Sequence, residues 1–210
     1  MNPALTRWRR QLPLVVTTAI FVLLFGAASL AYDGFFSLRT VTSLFTDNAF
    51  LGIAAVGMTL VIFSGGIDLS VGAVIGFTSI FTATLIEQAK VPPVLAWLIA
   101  LTAGAALGGG MGALIHGFRL PPFLITLAGL FLARGAAFWI NTESVGIGHD
   151  LYQRLSAFEV PLGPASLTTG ALVLIGMLFI GYGIGHHTRF GRTLLAMGGN
   201  EQSALLMGLP

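Results

Sequence analysis

Six apolar runs, each close to the length of a bilayer crossing, constrain this chain more than any motif does. The first, Leu12 to Tyr32, follows Arg7, Arg9 and Arg10. About 20 apolar residues are enough to cross a hydrocarbon core of ~30 Å. The others are Asn48–Phe63, Val71–Ile86, Val94–His116, Pro122–Ile140 and Ser166–Gly185. Charged residues are only 9% of the chain and mean hydropathy is +0.90, values no soluble domain of this length tolerates. The expected fold class is therefore all-α, a polytopic helical membrane protein with about six transmembrane segments. A cleaved leader ending near Ser29-Leu30-Ala31 is a second reading of the first run. The run is longer than an ordinary leader core, so a retained first span is preferred.

Several function classes drop out on composition. There is no cysteine, which excludes disulfides, thiolate metal sites and thiol catalysis. A net charge of +2 is too small to recruit nucleic acid. Lys90 is the single lysine, and no Gly-x-x-x-x-Gly-Lys-Ser/Thr loop surrounds it, so ATP cannot be held in the P-loop manner. His116, His186 and His187 join no acidic or histidine cluster, and neither a metal site nor a cofactor is expected.

Basic residues set the expected orientation. With six crossings, Arg7, Arg9, Arg10, Arg119, Arg189 and Arg192 fall on one side, and Arg39, Lys90 and Arg154 on the other. The richer side is the cytoplasmic one under the positive-inside rule, which puts the N-terminus in the cytoplasm. Arg134 lies within the fifth run, ~18 Å from its start, and is read as snorkelling outward. Trp8, Trp97, Trp139, Tyr32 and Tyr182 stand near run ends, as interfacial anchors do. Residues 141–165 read as a polar outer loop. Ala100, Gly104, Gly108 and Gly112 line one helix face and predict close approach of a neighbouring helix. Gly72 and Gly76, and Gly181 and Gly185, repeat the spacing. No soluble domain, linker or internal repeat is evident.

One polar interruption stands out, Ser64-Gly65-Gly66-Ile67-Asp68-Leu69-Ser70-Val71-Gly72. Asp68 is the only charge between Asp47 and Glu87. A carboxylate among apolar runs is costly and needs a partner, water or a function. Gly65 and Gly66 end one helix, and Asp68 or Ser70 can cap the next. Capping is favoured, a polar element of an inner gate comes second, and a ligand for the hydroxyl groups of a solute third.

Two further stretches are unusual for plain membrane helices. One is Leu120-Pro121-Pro122-Phe123-Leu124-Ile125-Thr126-Leu127-Ala128-Gly129 with Ala133-Arg134-Gly135. The other is Phe190-Gly191-Arg192-Thr193-Leu194-Leu195-Ala196-Met197-Gly198-Gly199-Asn200-Glu201 with Ser203, Ala204 and Gly208. In this order and spacing, the three stretches resemble the permease subunits of bacterial ABC importers for monosaccharides, the ribose/xylose/arabinose/galactose group. Asp47 to Thr59 and Thr126-Leu127-Ala128-Gly129 look most like one permease of the galactofuranose importer.

The resemblance implies a multi-pass protein of the bacterial inner membrane. It implies a single permease domain over 1–210, and within it a cytoplasmic coupling segment over 186–210. Family permeases have roughly ten helices, so further helices would follow Pro210. The implied partners are a cytoplasmic sugar-importer ATPase, a periplasmic sugar-binding protein, a second permease subunit (identical or related) and membrane lipid. Gly198 and Gly199 would break the helix. Asn200 would cap a new one from Glu201, with an apolar face at Ala204, Leu205 and Met207. Arg192, Gly198, Gly199, Asn200, Glu201 and Ala204 are thus the expected ATPase-coupling residues. Lipid-surface binding by the same segment is the competing reading. Asp68, Ser70, Asn48 and Thr126 are the gate or pathway candidates. The expected role is conduction, with no catalysis in this chain. A secondary transporter with a discontinuous-helix site at 64–72 is the alternative, and a non-transporting scaffold is the third class.

Overall fold

The computed structural model describes residues 3–199 and 206, the side chains of residues 3–10 excepted. Nine helices and one β-hairpin are present among the described residues: α1 Pro3–Ala31, α2 Leu38–Asp47, α3 Ala49–Phe63, α4 Val71–Glu87, α5 Pro93–Phe118, α6 Pro122–Ile140, α7 Asp150–Ala157, β1 Glu159–Leu162, β2 Ala165–Thr168, α8 Thr169–His187 and α9 Arg189–Gly199. Four of them (Gln11–Ala31 within α1, then α5, α6 and α8) are long and apolar enough to cross a bilayer. The second expected span is longer than its apolar run. It combines α2 and α3, which bend by 61° at Asn48. The third, α4, has 17 residues and is short for a crossing. Proline sets the starts of α5 and α6, because Pro93 and Pro122 occupy first-turn positions where the missing N–H costs nothing.

The helices fall into two packed groups. In one, α3 lies along α8, with α2 and β2 at one end and α9 at the other. In the other, α4 lies between α6 and α5. Segment 64–70 links the groups directly, and residues 141–164 link them again from α6 to β2. Small residues make the α3–α8 seam close. A Cβ at Gly52 would meet Leu174 Cδ1 at 2.6 Å, and one at Gly185 would meet the Phe63 ring at 3.5 Å. The expected stripe on α5 behaves differently. Gly104 has Thr78 at 3.8 Å, but Gly108 and Gly112 face open space among the described residues. Side chains of α1 are largely exposed, and Phe25 touches Phe35 and Phe36 of the following turn at 5.3 and 6.1 Å.

The polar region 141–165 is more ordered than a loop. It holds α7 and β1, and β2 begins at its end, pairing antiparallel through Glu159↔Thr168 and Leu162↔Ala165. Gly163 turns the hairpin with φ +63°. The last span therefore starts at Thr169 rather than Ser166, where the Thr168 hydroxyl accepts the Ala171 N–H and opens the helix. It also runs on through His186 and His187, which belong to its last turn and not to a separate segment.

This region is tied to the rest by several hydrogen bonds, among them one from the Thr169 hydroxyl of α8 to the Leu155 carbonyl at 2.6 Å. Gly148 N–H donates to Glu87 Oε1 at 2.7 Å, Arg39 donates to the Pro164 carbonyl at 3.4 Å, and Trp97 Nε1–H donates to the Tyr152 hydroxyl. Trp97 is thus a partner of α7 rather than a free interfacial anchor, whereas Trp139 is 90% exposed as an anchor should be. Arg39, Lys90 and Arg154 share this end of the bundle. The 64–70 segment, the start of α6 and α9 share the opposite end.

Candidate functional site

The polar break is a compact turn. Helix α3 ends at Phe63, and Ser64 Oγ donates back to the Val61 carbonyl at 2.7 Å. Gly65 follows with φ +77°, a left-handed conformation that glycine adopts without steric cost. Asp68 Oδ1 then accepts the Ser70 N–H at 2.7 Å and the Ser70 hydroxyl at 2.6 Å. This is a carboxylate closing a turn two residues on. Neither residue caps α4 in the expected way. Ser70 stands at the N-cap position with helical dihedrals, and its side chain makes no bond to the helix. Its hydroxyl is spent on Asp68 instead.

Thr126 of α6 joins this turn. Its Oγ1 lies 2.9 Å from the Pro122 carbonyl and 3.3 Å from the Ile67 carbonyl. Ser70 is 1% exposed and Thr126 4%. In this conformation the Thr126 hydroxyl fastens α6 to the break, the Ser70 hydroxyl closes the turn on Asp68, and both are buried away from a passing solute. Asn48 is not part of the group. It sits at the α2–α3 bend, where Nδ2 donates to the Leu44 carbonyl at 2.9 Å. The 15 residues of α3 separate it from Ser64, ~22 Å along the helix. Arg134 is also apart from Asp68, about 12 Å beyond Thr126 along α6, with its guanidinium 5.9 Å from the Phe138 ring centroid.

The third stretch meets the first. Thr188 makes the elbow between α8 and α9, donating to the Ile184 carbonyl at 2.6 Å and accepting the Gly191 N–H at 3.1 Å. From there α9 runs beneath the end of α3. A Cβ on Gly198 would overlap the Phe63 carbonyl oxygen and come within 3.0 Å of its carbon and 3.2 Å of Gly65 N. The Gly198 Cα stands 3.5 Å from the position a Cβ would take on Gly65. Two glycines thus let backbone meet backbone at the break. A Cβ on Gly191 would overlap the carbonyl oxygens of Ile184 and Gly185, so α9 also crosses the end of α8 at contact distance. Gly198 and Gly199 lie inside α9, in its last turn, where the sequence suggested a break. Arg192, Phe190 and Leu195 are exposed on this helix. Asn200, Glu201 and Ala204 lie outside the described residues.

Sequence reasoning named Gly198 for the ATPase and missed its contact with Phe63 and Gly65. It also missed Thr188 and Tyr152. One signal was available for the first: Gly191 and Gly198 are seven apart, two turns on one helix face.

A cavity of 640 Å³ opens on the other side of the break. It runs between α4 and α6 from Leu69 and Gly72, past Ser79 and Arg134, to Asn141 and Glu143. Gly72 and Gly76 leave its floor open, since nothing stands within 4 Å of where a Cβ would be.

These features define a class, a polytopic helical membrane protein with a polar break held between a helix bundle and a short peripheral helix. The chain belongs to the family described as the branched-chain amino acid transport system / permease component, whose model matches residues 40–210. It is 45% identical over 203 residues to the inner membrane ABC transporter permease protein YjfF of Escherichia coli (strain K12), covering 96% of this chain and 61% of that one. It is 38% identical to the fructose import permease protein FruG of Bifidobacterium longum, covering 96% and 61%. It is 32% identical to the ribose import permease protein RbsC of Escherichia coli (strain K12), covering 91% and 59%. The chain therefore spans about three fifths of the length of these curated relatives. No solved structure matches it.

Proposed function

We propose that this chain is the transmembrane part of an ATP-driven sugar importer, and that α9 passes the motion of a separate ATPase to the 64–70 break. The observation that carries this reading is the seating of Gly198 on Phe63 and Gly65. A short, outward-facing helix in backbone contact with the one polar break is a lever arm, and a displaced lever must move what it touches. The break joins the two packed groups, so its displacement changes how α4 and α6 stand against α3 and α8. The import permeases named among the relatives favour sugar as the cargo.

The remaining features fit this reading. The protein is a multi-pass component of the inner membrane with a cytoplasmic N-terminus. The α9 end, with Arg119, Arg189 and Arg192, faces the cytoplasm, where arginines are favoured. Arg192, Gly198, Gly199, Asn200, Glu201 and Ala204 are the ATPase-coupling residues, and Gly198 seats α9 on the break. Residues 1–210 act as one permease domain. A periplasmic binding protein delivers the sugar to the α7–hairpin end, and a second permease chain completes the pathway. The likeness of Asp47–Thr59 and Thr126–Gly129 to a galactofuranose permease suggests galactofuranose as the sugar. Nothing supports the alternative of a secondary transporter with its site at 64–72: Ser70 is buried and Asp68 is engaged by Ser70.

The test is reconstitution of the full-length protein in proteoliposomes. Alone it should move no sugar. With its ATPase, binding protein and ATP it should import one. Sugar uptake by the isolated protein driven by an ion gradient would overturn the proposal.

A further inference from the structure

The cavity between α4 and α6 has a chemistry that the break does not explain. At 640 Å³ it falls in the size range of small-molecule sites. A guanidinium inside a spanning helix is expensive, and such residues mark solute paths more often than packing. Arg134 is exposed and lines this cavity together with Phe138, over whose ring its guanidinium lies. At the rim, the Glu143 N–H donates to Asn141 Oδ1 at 3.0 Å, which orders the turn and leaves the Asn141 amide N–H groups as donors. The lining therefore offers a fork of cationic donors, an amide, a carboxylate acceptor and an aromatic face. That set suits a neutral polyhydroxylated ring, whose hydroxyls both donate and accept and whose C–H faces lie against aromatic carbon. The cavity's other end reaches Leu69, next to the Asp68–Ser70 turn. Its long axis thus leads from the α7–hairpin end toward the break.

We propose that this cavity is a waypoint for a neutral monosaccharide. Arg134 and Asn141 donate to ring hydroxyl oxygens, Glu143 accepts from a hydroxyl, and Phe138 covers a C–H face. The inference rests on the reading of the chain as part of a sugar importer. It assigns the contact to Arg134 and its neighbours rather than to Asp68 or Ser70.

Residues 1–210 hold no cysteine, so labelling of a single Ala137→Cys, taken as the difference from the same full-length, assembled importer without it, reports on the cavity. A membrane-impermeant thiol reagent is added from outside, with and without saturating D-ribose, D-fructose, D-galactose or L-arabinose. ATP-driven uptake of the same sugars is measured in parallel. The expected result is labelling that an imported sugar slows several-fold. Adding Arg134→Ala should abolish that protection, and Arg134→Lys should restore part of it. An imported sugar that leaves labelling unchanged overturns the waypoint and leaves the importer reading intact. The same holds if Ala137→Cys stays unlabelled while a Gly163→Cys control in the hairpin turn reacts. Failure of every sugar to be imported with ATP overturns the importer reading itself, and the waypoint with it.

Discussion

Replacing Gly198 by alanine tests the α9 junction most directly. The added methyl would overlap the Phe63 carbonyl oxygen and crowd two further backbone atoms at 3.0 and 3.2 Å. Backbone cannot rotate out of the way as a side chain tip can. Helix α9 must retreat by about 1 Å, or the turn after Phe63 must open, and overpacking of this kind costs about 1–3 kcal/mol. Alanine also gains helix propensity over glycine, at most ~1 kcal/mol and less in a last turn. The steric term wins. Gly183→Ala in α8 is the control, because nothing lies within 4 Å of its Cβ position and only the propensity gain remains. In full-length importer reconstituted with its ATPase, Gly198→Ala should retain ATP hydrolysis but lose most ATP-driven sugar uptake. Gly183→Ala should behave as the parent. Thermal unfolding of the permease in detergent should separate the two variants in the same order. Equal uptake by Gly198→Ala and the parent would refute the junction as the route of coupling. So would equal loss of hydrolysis and uptake, which would mean that ATPase binding was broken instead.

Substitutions at two further positions test the structural reading of the other tied points. Asp68→Asn keeps an oxygen that can accept from Ser70, whereas Asp68→Ala leaves a buried N–H and hydroxyl unpaired at about 1–3 kcal/mol. Asn should therefore be mild and Ala severe in both thermal stability and uptake, and equal damage by the two would show that the charge itself matters. Trp97→Phe keeps an aromatic ring, though a smaller one, and removes the N–H donated to Tyr152, a hydrogen-bond loss of about 1 kcal/mol. Limited proteolysis should then cut within 141–157 faster than in the parent, and an unchanged rate would argue that α7 is held by other contacts.

Much of the fold was legible because its signals are local. Apolar runs, the Pro-Pro starts and the glycine pair after Phe63 each act through neighbours in the chain. The fifth span, Pro122–Ile140, has the same bounds in sequence and structure. Local signals misled where an apolar run ended before its helix did. The first half of the broken span, Leu38–Asp47, is amphipathic, and hydropathy alone does not separate such a helix from a loop. The β-hairpin was hidden for a related reason, since Pro161 and Pro164 argue for a loop until the pairing of β1 with β2 is seen.

By itself, the sequence determined that the chain crosses a membrane, that it has one polar break, and that no residue set for ATP binding accompanies that break. These follow from transfer free energies and from residue types, which belong to each position whatever surrounds it. Only the tertiary structure shows what the break touches. Glycine has no side chain to announce a partner, so the seven-residue spacing of Gly191 and Gly198 could mark a face for close approach but could not say that Gly198 rests on Phe63 and Gly65. Nor could the sequence say that Ser70 and Thr126 are buried while Arg134 lines an open cavity. Those are properties of which backbone lies against which, and they arise only when helices far apart in sequence are brought together.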